Sequence, residues 1–195
     1  MFDLLSEHFI ILISRVDLWT TLFLYIFMEL ERDFNGIEKK FFDLCLKVVE
    51  EQGLKLYDME YFGPQKLLRV YIYDQETRTA VIEDCSKVDR AFTPYFENEE
   101  WLPELTLEVS SPGMFRHLKT REHFDSVVGE RISVTISKKV DPEQNPDFSK
   151  RVYKERKFKE NLISVSDEGI DLEVEDKKLF IDWLNIKKAN LEPEV

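Results

Sequence analysis

Residues 105–120, LTLEVSSPGMFRHLKT, decide how the chain divides. Leu105, Leu107 and Val109 alternate with Thr106, Glu108 and Ser110, the period of a strand with one apolar and one polar face. The strand has to stop at Ser111. Pro112 brings no backbone donor and holds the residue before it extended, and Gly113 admits a positive φ. Arg116, Lys119 and Arg121 come next, interleaved with His117 and His123, so positive charge follows a stiff corner. Such a corner suits an anionic or carbonyl-rich partner. It suits a hinge between domains equally well.

Upstream of this strand, Ile37, Phe41, Leu44, Cys45, Val48 and Val49 recur at helical spacing, and Gly53 stands where a helix would end. Tyr57, Met59 and Tyr61 then alternate with Asp58 and Glu60. After Gly63-Pro64, Leu68, Val70 and Ile72 alternate with Arg69, Tyr71 and Tyr73, so residues 55–74 predict a β-hairpin. Helical spacing returns with Ile82, Cys85, Val88, Phe92 and Phe96. Glu83 and Asp84 sit at the favoured end of the dipole, and Pro94 is placed to shorten or kink the helix. The order α-β-β-α-β predicts an α+β fold whose first domain, residues 36–117, is a two-layer unit with both helices on one face of a three-stranded sheet. The outward strand residues are mostly charged or tyrosine, which fits a solvated face.

Downstream, Thr120 is a cap for a short helix over residues 121–128, closed by Gly129. Almost everything beyond is strand-like. Ile132, Val134 and Ile136 alternate, as do Ile170, Leu172 and Val174, and residues 162–165 and 179–181 add two more strands. About five short strands in a second domain, residues 118–195, predict a small SH3-like or Sm-like β-barrel. Residues 184–188 are expected to form the helical turn such barrels carry before their last strand. Between the first two strands lies VDPEQNPDFSKRVYKERKFK, residues 140–159, where Lys150, Arg151, Lys154, Arg156 and Lys157 surround Tyr153 and Phe158. Cations interleaved with aromatics suit phosphate pairing and base stacking; a long hairpin with merely solvated charges is the plainer alternative.

The chain has 195 residues, 43% hydrophobic and 13% aromatic, enough for packed cores, and a net charge of −12. That total is uneven. Residues 114–161 hold 12 basic and 8 acidic groups, whereas residues 36–113 hold 9 and 16, and residues 162–195 hold 4 and 9. The one basic block therefore begins at the Ser-Ser-Pro-Gly corner. The two cysteines, Cys45 and Cys85, fall on separate helices without a CxxC spacing, which points to buried reduced thiols rather than a disulfide or metal site. No cofactor site can be assembled from three histidines and two separated cysteines. Residues 9–28 are apolar enough to raise a membrane span. Arg15 and Asp17 near the middle and the acidic Asp3 and Glu7 before it argue against one, so residues 1–35 are taken as an extension outside the fold.

With both halves in view, the chain resembles the ribosome maturation factor RimP family. Residues 105–113, LTLEVSSPG, carry the resemblance together with Arg116 and Leu118-Lys119-Thr120; Leu68-Arg69-Val70-Tyr71-Ile72, Glu83-Asp84-Cys85 and Ile186-Lys187-Lys188-Ala189 support it. Where that family has Arg-Pro after the loop this chain has Arg116-His117, and Glu160 stands where a glycine is expected. The resemblance implies a cytoplasmic, non-enzymatic, monomeric factor that binds the small ribosomal subunit (the 30S particle), through ribosomal protein and 16S rRNA, and assists its assembly. It implies no cofactor, metal, small-molecule substrate or membrane. Ser110, Ser111, Pro112, Gly113, Arg116 and Lys119 become candidates for ribosome contact or for the domain junction. The loop cations Lys150, Arg151, Lys154, Arg156 and Lys157 become candidates for rRNA.

Three other classes were weighed. A hydrolase would use Ser110 or Ser111 with His117 or His123, but there is no orienting acid and no G-x-S-x-G elbow. A free-standing Sm-like RNA-binding protein would have to overcome the charge of −12. Membrane tethering would rest on residues 9–28 alone.

Overall fold

The computed structural model describes residues 34–193, so the apolar stretch 9–28, and with it nearly all of the extension 1–35, lies outside the described residues. Two compact units are present, Phe34–Arg116 and the chain from His117 onward. Among the described residues no helix is long and apolar enough to cross a membrane.

The first unit runs α1 (Ile37–Glu51), β1 (Lys55–Phe62), β2 (Leu67–Tyr73), α2 (Ile82–Asn98) and β3 (Thr106–Ser110). Its sheet has the order β1-β2-β3, with β1 antiparallel and β3 parallel to the central β2. The helical spacing becomes the buried stripe Phe41, Leu44, Cys45, Val48 and Val49, and Gly53 ends α1 at φ 77°. Val88 and Phe92 of α2 join the same core, against Leu68, Val70 and Ile72 of β2. Each such fully buried side chain stabilises the fold by about 1.5–3 kcal/mol. Pro94 does not end α2, which continues to Asn98; the Asn98 Nδ2 donates to the Pro94 carbonyl at 2.6 Å.

The hairpin differs from simple alternation at one place. Leu56 pairs with Ile72 but Asp58 pairs with Tyr71, so Tyr57 is an extra, unopposed residue. Met59 and Tyr61 keep the inward positions expected of them, opposite Val70 and Leu68. Tyr57 is expelled from that series, because a bulge moves one side chain out of the pleat's period.

Burial separates the two thiols. Cys45 is fully buried and burial pushes its pKa up to about 12, while Cys85 is only partly buried. A thiol reagent at pH 8 should therefore modify one cysteine per chain, Cys85, and reach Cys45 only on unfolding. Equal labelling rates for both in the native protein would show that the α1 packing is wrong.

The second unit runs α3 (Arg121–Asp125), β4 (Arg131–Ile136), β5 (Lys157–Val165), β6 (Gly169–Val174), β7 (Lys177–Asp182) and β8 (Ile186–Leu191). Thr120 caps α3 as expected, its Oγ1 accepting from the His123 amide at 3.3 Å, but the helix stops at Asp125 rather than reaching residue 128. The expected closed barrel is corrected to an open antiparallel sheet of order β7-β6-β5-β4-β8. Among the described residues no ladder joins β7 to β8. The expected helical turn before the last strand is present, but it is shorter and begins one residue earlier than residues 184–188. A 3-10 turn, Trp183–Asn185, carries the chain away from β7, and Lys187 and Lys188 lie in β8 against β4.

The free edge of β7 is covered by the long loop between β4 and β5. The Asn145 side chain pairs with the main chain of Phe180 as a neighbouring strand would, accepting from its amide at 2.7 Å and donating to its carbonyl at 3.1 Å. Tyr153 fixes the loop from behind, its hydroxyl donating to the Asn145 carbonyl at 2.8 Å and accepting from the Phe148 amide at 3.1 Å. Val140 and Val152 anchor the loop in the core beside Phe158, Leu162 and Leu172. Covering an edge in this way prevents the strand from pairing with another chain.

Candidate functional site

The corner after β3 is built from its own hydroxyls. Ser110 Oγ donates to the Ser111 carbonyl at 3.2 Å, and Ser111 Oγ accepts from the Gly113 amide at 3.2 Å. Thr79 Oγ1 lies 3.4 Å from the same Ser111 oxygen, tying the corner to the segment that enters α2. Gly113 takes φ 76°, a left-handed conformation that glycine adopts without strain. This is turn chemistry. The two serines have structural partners, and His123 Nδ1 accepts the Lys119 amide at 3.1 Å within its own helix cap, so the arrangement offers no activated nucleophile.

Beyond the corner Met114 and Phe115 are exposed, and Arg116 turns back on the sheet. Its guanidinium lies 5.8 Å from the ring centroid of Tyr57, the residue displaced by the bulge in β1. Tyr57 in turn meets Tyr73 edge-on at 6.0 Å. Burial pushes the Tyr57 hydroxyl above the usual tyrosine range, and the Arg116 charge opposes that shift. Because Tyr73 alternates with the buried Ile72, this cluster occupies the face of the sheet opposite the helices.

The same face carries a charged row. Register places Glu60, Arg69 and Glu108 directly opposite one another on β1, β2 and β3. Arg69 Nε donates to Glu108 at 2.7 Å, its Nη1 lies 4.0 Å from Glu60, and its guanidinium sits 5.6 Å from the centroid of the Phe62 ring. Tyr71 adds a 3.4 Å hydrogen bond to Glu60. The surface is thus ordered, with acidic groups and aromatic rings held in fixed positions.

Residues 44–115 match the family model described as the RimP N-terminal domain. By this match, the first unit is similar to the N-terminal domain of RimP proteins. The matched RimP span takes in β1, β2, α2, β3 and the Ser-Ser-Pro-Gly corner, and ends one residue before Arg116.

Of the sequence candidates, Ser110, Ser111, Pro112, Gly113 and Arg116 lie together in the first unit, whereas Lys119 belongs to the second. The loop cations of the second unit are dispersed. Arg151 lies 3.8 Å from Glu155, and Arg156 donates to the Ser137 carbonyl at 3.0 Å, while Lys150, Lys154 and Lys157 are exposed. The stacking half of the loop reading does not hold, since Phe158 is buried and Tyr153 braces the loop. Sequence reading missed Tyr57 as the partner of Arg116. A bulge leaves no mark in the alternation of one strand, because it is defined by the register of two.

Proposed function

We propose that this protein is a non-enzymatic ribosome maturation factor that binds the small ribosomal subunit and assists its assembly. The observation that carries the reading is the RimP N-terminal domain match across the whole sheet and corner, residues 44–115. The first unit is the part that meets ribosomal protein. It is acidic, with 16 carboxylates against 9 cations over residues 36–113, which attracts basic proteins and repels naked rRNA. Ser110, Ser111, Pro112 and Gly113 present Arg116 and the exposed Met114 and Phe115. Lys119 and the loop cations Lys150, Arg151, Lys154, Arg156 and Lys157 serve as secondary contacts to 16S rRNA from the second unit, which we read as the Sm-like module. The protein acts as a cytoplasmic monomer in this reading.

Arg116→Glu should weaken co-sedimentation with small subunits about tenfold or more. It loses a cation–π contact of about 0.5–2 kcal/mol and puts a negative charge on the contact surface. The fold should survive, since Arg116 lies on the surface of the sheet. Unchanged co-sedimentation on a sucrose gradient would remove the corner from the contact surface. Binding to naked RNA without any subunit association would favour a free-standing RNA-binding protein instead.

A further inference from the structure

The open sheet of the second unit separates charge in a way the linear sequence hides. At its β6–β7 end, Asp171, Glu173, Glu175 and Asp176 outnumber Lys177 and Lys178. At the other end, β4 lies between β5 and β8, and register places Lys157, Thr135 and Lys188 side by side across the three strands. Directly opposed residues share a face. The next row on that face is Lys159, Ser133 and Asn190, and the one after it holds Asn161 and Arg131.

β8 carries a second device. Thr135 pairs with Lys188 but Ile136 pairs with Ile186, so Lys187 is the unopposed residue of a bulge. Lys187 and Lys188 are consequently both exposed, whereas strict alternation would have turned one of them inward. Two carboxylates touch these rows: Glu173 accepts from Asn161 at 3.2 Å, and Glu192 is bonded to Lys159 and lies in the field of Lys157 and Arg131, all of which hold its pKa below the usual carboxylate range. The Lys157, Lys187 and Lys188 ammonium groups form no ion pair with any described residue. The strand spacing puts Lys157 and Lys188 about 10 Å apart, with the Lys159 row about 7 Å further along.

We infer that this β5-β4-β8 face binds the sugar-phosphate backbone of double-helical RNA. Cations here alternate with the hydroxyl and amide side chains of Thr135, Asn161 and Asn190, which suit phosphates and 2′-hydroxyls, while Ser133 between them is buried. These rows hold no aromatic side chain, so bases have nothing to stack on and single strands are disfavoured. The acidic β6–β7 end repels a polyanion and confines it to the basic end. The inference rests on the ribosomal reading only for the source of the RNA.

The test uses the full chain, a fluorescent RNA stem-loop, an unpaired RNA of equal length, and polyglutamate as competitor, at low salt. The stem-loop should bind more tightly than the unpaired strand. Lys157→Glu with Lys188→Glu should lose at least about tenfold and flatten the salt dependence by about two counterions. Lys177→Glu with Lys178→Glu, the same charge change at the β6–β7 end, should lose at most about threefold. Equal losses for the two double variants, preference for the unpaired strand, or displacement by polyglutamate as effective as by RNA would overturn the inference. Small-subunit co-sedimentation run alongside separates the readings. Stem-loop binding without subunit association leaves this face standing and removes the ribosomal function, and subunit association with stem-loop binding insensitive to Lys157 and Lys188 does the reverse.

Discussion

Gly169→Ala should destabilise the second unit by about 3 kcal/mol or more, the upper end of what overpacking costs. A Cβ at this position would lie 2.2 Å from the Ile181 carbonyl oxygen and 2.9 Å from a ring carbon of Phe180. The obstacle is backbone. Gly169 stands opposite Asp182 in the β6–β7 ladder, so relief requires β6 and β7 to separate. Gly169 is also held to Ser166 across the turn from β5, its amide donating to Ser166 Oγ at 3.2 Å and its carbonyl accepting the Ser166 amide at 2.8 Å. Shifting it disturbs Trp183, whose indole donates to the Ser166 carbonyl at 3.1 Å and packs edge-on against Phe124 at 5.1 Å. Urea unfolding would show a lowered midpoint, with the Cys45 protection of the first unit retained, since the two cores share no residue. A wild-type midpoint would mean that the hairpin accommodates a methyl group and that the strand contact is looser than this register.

Asn145→Ala is the second large effect, about 2 kcal/mol, and it acts on the loop and the sheet edge together. The side chain is only 3% exposed and makes both hydrogen bonds to Phe180. Alanine leaves the Phe180 amide and carbonyl without those partners, at about 1–3 kcal/mol for each buried group left unsatisfied. Trypsin should then cut faster at Lys150 and Arg151, because the loop populates open forms more often. The bare edge of β7 should raise self-association at high concentration. Asn145→Asp keeps the acceptor for the Phe180 amide but loses the donor, so its cleavage rate should fall between the two. Identical cleavage of wild type and Asn145→Ala would show that the core anchors Val140 and Val152 hold the loop without help.

The first domain was largely legible because its elements follow one another in space as they do in sequence. Leu107 and Val109 alternate where β3 forms, the stripe from Phe41 to Val49 becomes the buried face of α1, and Ser-Ser-Pro-Gly makes the corner it should. What escaped was pairwise. Tyr57 looked like a third inward residue beside Met59 and Tyr61, and only its misalignment with β2 shows that it left the core to meet Arg116. In the second domain four of the five strands were readable from their apolar residues, but the bounds of the last strand and closure were not. Whether β7 pairs with β8 depends on where the turn at Trp183–Asn185 sends the chain and on Asn145 occupying the edge. The loop of residues 140–156 read as polar and free. Its anchors, Val140 and Val152, are single apolar residues without a period, so burial could not be inferred from pattern.

By itself, the sequence determined the order of elements, the polar and apolar faces of most strands, the cap at Thr120, and the likeness to the RimP N-terminal domain that the Val-Ser-Ser-Pro-Gly strand end carries. These are local properties, set by residue type and spacing over ten residues or fewer. The tertiary structure alone decided where the charges meet. Lys187 and Lys188 belong to an acidic stretch of the chain, residues 162–195, and would be assigned its sign. Pairing of β8 with β4, more than fifty positions away in sequence, carries them across the sheet to Lys157, and the bulge turns both outward. Strand pairing between distant segments is governed by core packing and by which edges are already covered, and no local window of sequence contains either.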